Sequence, residues 1–222
     1  MSGRSIAQEY YILAVNENGY MPGMHMEESN SGLVAAGMME LLLNDIIIME
    51  KKKITVVGEL PADLDYLASL YAYLCEKVRS TDKMMSDYIA STGKRIQQLT
   101  QEIGEALLKK GAVTKEKGGF FGSKVIYIPE KGYKETVIRA LKSAVVEEGE
   151  LSAHDIALLS ILKGSKNLNR YISNDERSAF KARLKELKKN PDSKQLAEMI
   201  DYINDSTGLL LAAFVIWHQV LH

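Results

Sequence analysis

Apolar residues recur at helical spacing through most of the chain, whereas strand-like alternation is confined to short segments. The clearest example is Lys94–Lys110, where apolar residues follow one another every three or four positions and Gly111 comes next. A glycine at that point is typical of a helix C-terminus. This periodicity predicts a mainly α fold, namely a single globular helical domain of residues 1–222 with two or more short β-hairpins.

Capping residues help to place the other helices. Ser152 with Asp155, and Ser173 with Glu176, have the spacing of a capping box, so a helix is expected to follow each serine. Cys75 falls in an apolar helical pattern and is expected to be buried. The remaining helices are expected at Ser5–Val15, Gly32–Leu43, Pro61–Lys77, Asp82–Ala90, Gly132–Glu147, 193–204 and 207–222.

Two segments have the pattern of β-hairpins. The first pairs Ile46–Met49 with Ile54–Val57 across three lysines. The second, expected to project from the domain, spans residues 112–128 and pairs Ala112–Thr114 with Lys124–Ile128 across a glycine-rich connection.

The tip of the second hairpin carries an adjacent Phe120-Phe121 pair, although the chain has only 4 phenylalanines. Lys115, Lys117 and Lys124 surround the pair. Exposed aromatic side chains beside cations are suited to anchoring on an anionic lipid surface. The alternative is that the pair packs against the core or against a second copy of the chain.

The net charge and the distribution of apolar residues argue against several classes of protein. The formal net charge is -1, from 28 Lys and Arg against 29 Asp and Glu, so nucleic acid is not an expected partner. Met1–Ala7 lacks the apolar run of a signal peptide. The longest apolar run, Leu209–Trp217, is shorter than the roughly 20 residues needed to cross a bilayer, and we interpret it as a buried helix. A cytoplasmic protein is expected, which can still lie on a membrane surface.

The residues with catalytic potential are scattered. The four histidines form no H-x-x-x-H pattern, and no P-loop or nucleophile elbow is present. Glu9 and Glu40 lie within helical patterns, either as a buried carboxylate pair or as two solvated or capped glutamates. His154 is expected at the surface. We therefore predict no enzymatic activity, no cofactor and no metal site.

The start of the second helix is a candidate anion site. The loop of residues 16–30 is long, and Ser31 is expected to cap the helix that follows it. The backbone N–H groups of Ser31, Gly32 and Leu33 would then be free to bind an anion. A plain helix cap is the alternative, and the two glutamates just before Ser31 oppose an anion.

The order of several segments resembles the Golgi phosphoprotein 3 family. The resemblance extends from Ser5 to Leu187 and is carried by an ordered set of segments rather than by one motif. These segments are Ser5–Val15, Ser31–Ile48, Leu107–Lys117, the second hairpin and Leu158–Lys163.

This resemblance implies a helical domain without enzymatic activity that binds phosphatidylinositol 4-phosphate on membranes. In the family, the hairpin contributes to membrane insertion and to self-association, roles that would fall here to Phe120 and Phe121. An anionic membrane lipid, such as a phosphoinositide, and a second copy of the chain are therefore the expected partners.

Several family residues of the headgroup pocket are replaced in this chain. The loop after the first helix carries a tryptophan in the family, whereas the only Trp here is Trp217. Lys94 and Arg95 are candidate substitutes for two arginines, but they lie one helical turn, about 5 Å, too early. The resemblance thus indicates a divergent member that lacks the pocket arginines. Residues at the replaced positions are Met24, His25 and Met26 in the loop, Val34, Gln97 and Thr100.

Two other functions fit the same pattern. A winged-helix regulator would place the helix Lys94–Lys110 before a hairpin wing, although Glu102 and Glu105 interrupt any basic face on that helix. A scaffold that forms oligomers through the second hairpin is the other alternative.

Overall fold

The fold is described from a computed structural model, which covers residues 4–50, 53–89, 93–119, 124–146 and 152–187. Its helices are α1 (Ile6–Ala14), α2 (Met26–Leu43), α3 (Ala68–Cys75), α4 (Thr81–Ile89), α5 (Lys94–Lys109), α6 (Lys131–Val146), α7 (Ala153–Gly164) and α8 (Asn174–Leu187). Its strands are β1 (Ile47–Glu50), β2 (Lys53–Val56), β3 (Arg79–Ser80), β4 (Val113–Gly118) and β5 (Lys124–Pro129). Short 3₁₀ segments lie at Gly23–His25, Ala62–Leu67 and Leu168–Arg170.

Helix α1 lies at the centre of the fold, because all its residues are buried and it packs against α2, α5, α6 and α7. Buried helix ends need partners for their unpaired backbone groups. At the N-terminus, Glu40 accepts a hydrogen bond from the Ala7 N–H at 3.0 Å. At the C-terminus, Arg170 donates to the carbonyl oxygens of Leu13 (3.2 Å), Ala14 (2.9 Å) and Val15 (3.3 Å).

Two small antiparallel sheets accompany the helices. Strands β1, β2 and β3 are adjacent in that order, and β4 pairs with β5. Strand β3 was not expected from the sequence, since a strand of 2 residues has no readable alternation. Its Arg79 is buried, with its guanidinium carbon 4.0 Å from the centre of the Tyr73 ring.

The prediction of a mainly α fold with short hairpins is confirmed. Both serines cap their helices as predicted, with Ser152 accepting from the Asp155 N–H at 3.1 Å and Ser173 accepting from the Glu176 N–H at 3.2 Å. The reciprocal bond of a capping box is made by the Ser173 N–H, which donates to Glu176 at 2.6 Å. The predicted helix Pro61–Lys77 is divided into a 3₁₀ segment and α3.

The burial predicted for Cys75 is wrong, because this residue is exposed at the end of α3. Leu70 and Leu74 occupy the buried face of the helix, and Cys75 lies about 100° further round. The helices expected at 193–204 and 207–222, the latter including Leu209–Trp217, lie outside the described residues.

None of the helices within the described ranges is long and apolar enough to cross a bilayer.

Candidate functional site

The base of the β4–β5 hairpin is fixed to the core by Tyr127. Its ring packs on Gly104 of α5 so closely that a Cβ atom there would lie 2.3–2.5 Å from ring carbons. The Tyr127 hydroxyl donates to Glu105 at 2.8 Å, and its carbonyl oxygen accepts from the Tyr11 hydroxyl at 3.0 Å. The ring and the backbone of Tyr127 are therefore both held.

The loop after α1 holds the opposite face of the hairpin. Gly19 has a positive φ of 75° and lies against the Tyr127 carbonyl, where a Cβ atom would be only 2.7 Å from the oxygen. At the end of β4, the Gly119 N–H donates to the Tyr20 hydroxyl at 3.0 Å. The hairpin is thus clamped between α5 on one side and the loop after α1 on the other, up to Gly119.

The three lysines predicted to surround the hairpin tip differ in whether they form an ion pair. Lys115 forms an ion pair with Glu105, and this bond together with that from the Tyr127 hydroxyl lowers the pKa of Glu105. Lys117 and Lys124 are exposed, and in the described part of the chain neither has an ion-pair partner. Phe120 and Phe121 lie outside the described residues, so contact through them remains a prediction.

The start predicted for the second helix is wrong, since α2 begins at Met26 and not after Ser31. Ser31, Gly32 and Leu33 are buried in the helix interior. Their N–H groups therefore lack the freedom that motivated an anion site. Gly32 instead allows close packing, because a Cβ atom there would lie 2.1 Å from the Tyr10 hydroxyl.

Lys94 and Arg95 open α5 and are exposed. The Arg95 guanidinium lies 5.1 Å from the centre of the Tyr73 ring, on which Arg79 also packs. Among the described residues, no hydrogen bond or ion pair joins this group to Ser31–Leu33. The structure therefore does not join these two groups of candidate residues, and headgroup binding by either group stays a prediction.

The positions that the resemblance aligns with arginines of the family offer little to a phosphate. Val34 is fully buried, and the Thr100 hydroxyl donates to the Ile96 carbonyl at 2.7 Å. Gln97 is exposed but uncharged.

Glu40 is buried and accepts three hydrogen bonds, so the alternative of a solvated side chain is wrong for this residue. Tyr66 donates to it at 2.6 Å, Ser5 at 2.9 Å and the Ala7 N–H at 3.0 Å. Burial raises the pKa of Glu40 in spite of these donors.

Glu9 is also buried but has different partners. Two nitrogens of Arg4 donate to it at 2.9 Å each, and the His154 ring lies at 3.0 Å. Burial acts to raise the pKa of Glu9, but the hydrogen bonds with His154 and Arg4 outweigh it, so the pKa is lowered. Both carboxylates have structural partners, and most of these partners are distant in the sequence, where no local pattern could indicate them.

Within the described ranges, no group of three or more His, Cys, Asp and Glu side chains is placed to share a metal ion.

The family model described as Golgi phosphoprotein 3 matches residues 6–203. No curated protein matches.

Proposed function

The chain belongs to the Golgi phosphoprotein 3 family, and we propose that it is a non-enzymatic peripheral membrane protein. The proposed contact with anionic lipid is the end of the β4–β5 hairpin. The observation that carries this proposal is the clamped hairpin, which exposes Lys117 and Lys124 beyond a base fixed by Tyr127.

Rigidity of the base favours membrane contact. A hairpin whose backbone is already held loses less conformational freedom on binding than a mobile loop does. Val125, in β5 next to Lys124, is 47% exposed and adds apolar surface at the same end. The hairpin thus presents charge and apolar surface together.

The expected affinity is moderate. Each lysine near an anionic surface contributes about 1 kcal/mol, so Lys117 and Lys124 together contribute about 2 kcal/mol. Full burial of each phenylalanine of the tip would add roughly 1.5–3 kcal/mol. The sum of about 5–8 kcal/mol, before the cost of association, corresponds to reversible binding.

We propose selectivity for negative charge rather than for one headgroup. Tight phosphate recognition uses charge-assisted hydrogen bonds, usually from arginine. Here the corresponding positions are Val34, Gln97 and Thr100, of which the first is buried and the last bonds its own helix. Vesicles with phosphatidylinositol 4-phosphate should therefore bind no better than phosphatidylserine vesicles of equal surface charge.

Vesicle flotation tests the proposal. Wild-type protein should float with vesicles of phosphatidylcholine and phosphatidylserine, and the double variant Phe120→Asp, Phe121→Asp should not. The matched control is Val57→Asp with Val78→Asp, which adds the same charge at side chains that are 55% and 56% exposed away from this hairpin. Equal flotation of wild type and the phenylalanine variant would overturn the proposal.

Self-association through the hairpin is tested with the same proteins. Light scattering of the phenylalanine variant separates the two roles. A smaller oligomer with unchanged flotation would assign the tip to assembly instead of to lipid.

A further inference from the structure

A cavity of about 430 Å³ lies where the end of α7, the 3₁₀ segment Leu168–Arg170 and the start of α8 meet. This volume is within the range that small-molecule sites occupy. The buried side chains of Leu168 and Phe180 form the apolar part of its lining. None of the lining residues belongs to the β4–β5 hairpin, so the cavity is separate from the proposed lipid contact.

Arg177 lies in the wall of this cavity and is held by two side-chain amides. Its Nη1 and Nη2 atoms donate to the Oδ1 atoms of Asn169 and Asn174, which line the same cavity. Both acceptors are uncharged, and no carboxylate within the described ranges forms an ion pair with this guanidinium. A guanidinium has five N–H groups, so most of them stay available to a ligand. Arg177 therefore brings an oriented positive charge to the cavity.

The polar groups of the wall are mostly hydrogen-bond donors. Asn169 and Asn174 each use the side-chain oxygen to accept from Arg177, so their NH₂ groups, which only donate, point away from the guanidinium. Lys163 lines the cavity from the last turn of α7, and its ammonium group also only donates. The Ser178 hydroxyl donates to the Asn174 carbonyl at 3.0 Å and so bonds within its own helix. A wall rich in donors is complementary to a ligand rich in acceptor oxygens.

Helix α8 also favours an anion at this place. It has 14 residues, and its first turn faces the cavity through Asn174 and Arg177. The N-terminus of a helix carries a partial positive charge. Asp175 and Glu176 of the same turn do not line the cavity, and Glu176 accepts from the Ser173 N–H at 2.6 Å.

We propose that this cavity binds the phosphate group of a small phosphomonoester, with Arg177 as its main ligand. A phosphomonoester presents three terminal oxygens, which can accept from the guanidinium and from both amides, whereas a carboxylate has only two. Charge-assisted bonds from arginine are the strong contacts to such a group. A soluble phosphate ester and a lipid headgroup both carry this chemistry.

The test uses full-length protein labelled with nitrogen-15 and glycerol 3-phosphate as the probe. The side-chain NH₂ signals of Asn169 and Asn174 and the Nε–H signal of Arg177 should shift as the probe is added. Glycerol at the same concentration and ionic strength should leave them in place. Unshifted signals with glycerol 3-phosphate would overturn the proposal.

Two variants test the role of the guanidinium. Arg177→Gln should weaken binding of glycerol 3-phosphate by about tenfold or more, because its charge-assisted bonds are lost. The matched control is Lys185→Gln, which removes the same charge from an exposed position of α8 that does not line the cavity, and it should bind as wild type does. Equal losses in these two variants would contradict the assignment.

Asn169→Asp makes the test independent of any effect on folding. The two side chains have nearly the same shape, and Asn169 is exposed, so the fold should persist. The new carboxylate would pair with Arg177 and cancel its charge, so binding should again weaken by about tenfold or more. Wild-type affinity in this variant would overturn the proposed site.

Vesicle flotation distinguishes the two sources of the phosphate. A loss for Arg177→Gln on phosphatidic acid vesicles, but not on phosphatidylserine vesicles of equal surface charge, would assign the site to a lipid headgroup. Unchanged flotation on both, together with weaker binding of glycerol 3-phosphate, would assign it to a soluble ester. The titration contains no membrane, so its result does not depend on whether the hairpin binds lipid.

Discussion

Substitution of Gly104 by alanine tests how the hairpin is fixed to the core. In an open helix, Gly→Ala stabilises by about 1 kcal/mol. At Gly104 the new methyl group would meet the Tyr127 ring at 2.3–2.5 Å. That ring cannot move freely, because its hydroxyl bonds Glu105 and its backbone carbonyl bonds Tyr11.

The clash should outweigh the gain in helix propensity. Overpacking of a core costs about 1–3 kcal/mol, and a contact this short lies at the upper end of that range. The net loss is then about 1–2 kcal/mol, or roughly 2–8 °C in Tm for a chain of this size. Thermal unfolding followed by circular dichroism measures it, and amide hydrogen exchange should speed up in β4 and β5.

Two controls define the result. Gly132→Ala in α6 has open space around the new Cβ atom and should be neutral or stabilising. Gly104→Ala introduced together with Tyr127→Ala should regain stability relative to Tyr127→Ala alone, because the clash is gone. A rise in Tm for Gly104→Ala in the otherwise wild-type chain would refute the proposed anchoring.

Three further predictions concern charged groups. Because burial raises the pKa of Glu40, its contribution is greatest below the ordinary glutamate value of 4.5 and declines as the pH rises through the raised pKa. Urea unfolding across that range should show wild type losing stability relative to Glu40→Gln as the pH rises, and a constant difference would argue against it. Arg170→Met should lower the unfolding free energy by about 1–3 kcal/mol, since the buried Ala14 carbonyl loses its bond; an unchanged urea midpoint would contradict this. Lys117→Gln with Lys124→Gln should weaken binding to phosphatidylserine vesicles roughly 30-fold. Lys115→Gln should have a smaller effect, because Lys115 forms an ion pair with Glu105. Equal effects of the two variants in a vesicle sedimentation assay would count against the assignment.

Local features of the fold could be predicted from the sequence. Ser152 and Ser173 cap helices because the capping box needs residues only three positions apart. The start of α2 could not be predicted in this way, because the helix follows His25, whose side chain makes no capping hydrogen bond. Ser31 has the chemistry of a cap but is used inside the helix.

Long-range contacts could not be predicted. The partners of Glu40 come from the N-terminal end of α1, including its capping residue Ser5, and from the 3₁₀ segment that contains Tyr66, far apart in the chain. The packing of Tyr127 on Gly104 likewise depends on how β5 meets α5. The hairpin could therefore be recognised from the sequence, whereas its anchor and the different roles of its lysines needed the structure.

The central claim is that the hairpin tip enters a lipid surface. A single tryptophan at the tip, made by Phe121→Trp with Trp217→Phe, reports on this directly. Anionic vesicles should shift its emission to the blue, and lipids brominated in the acyl chains should quench it. Unchanged emission and no quenching, while the protein still floats with the vesicles, would contradict the account.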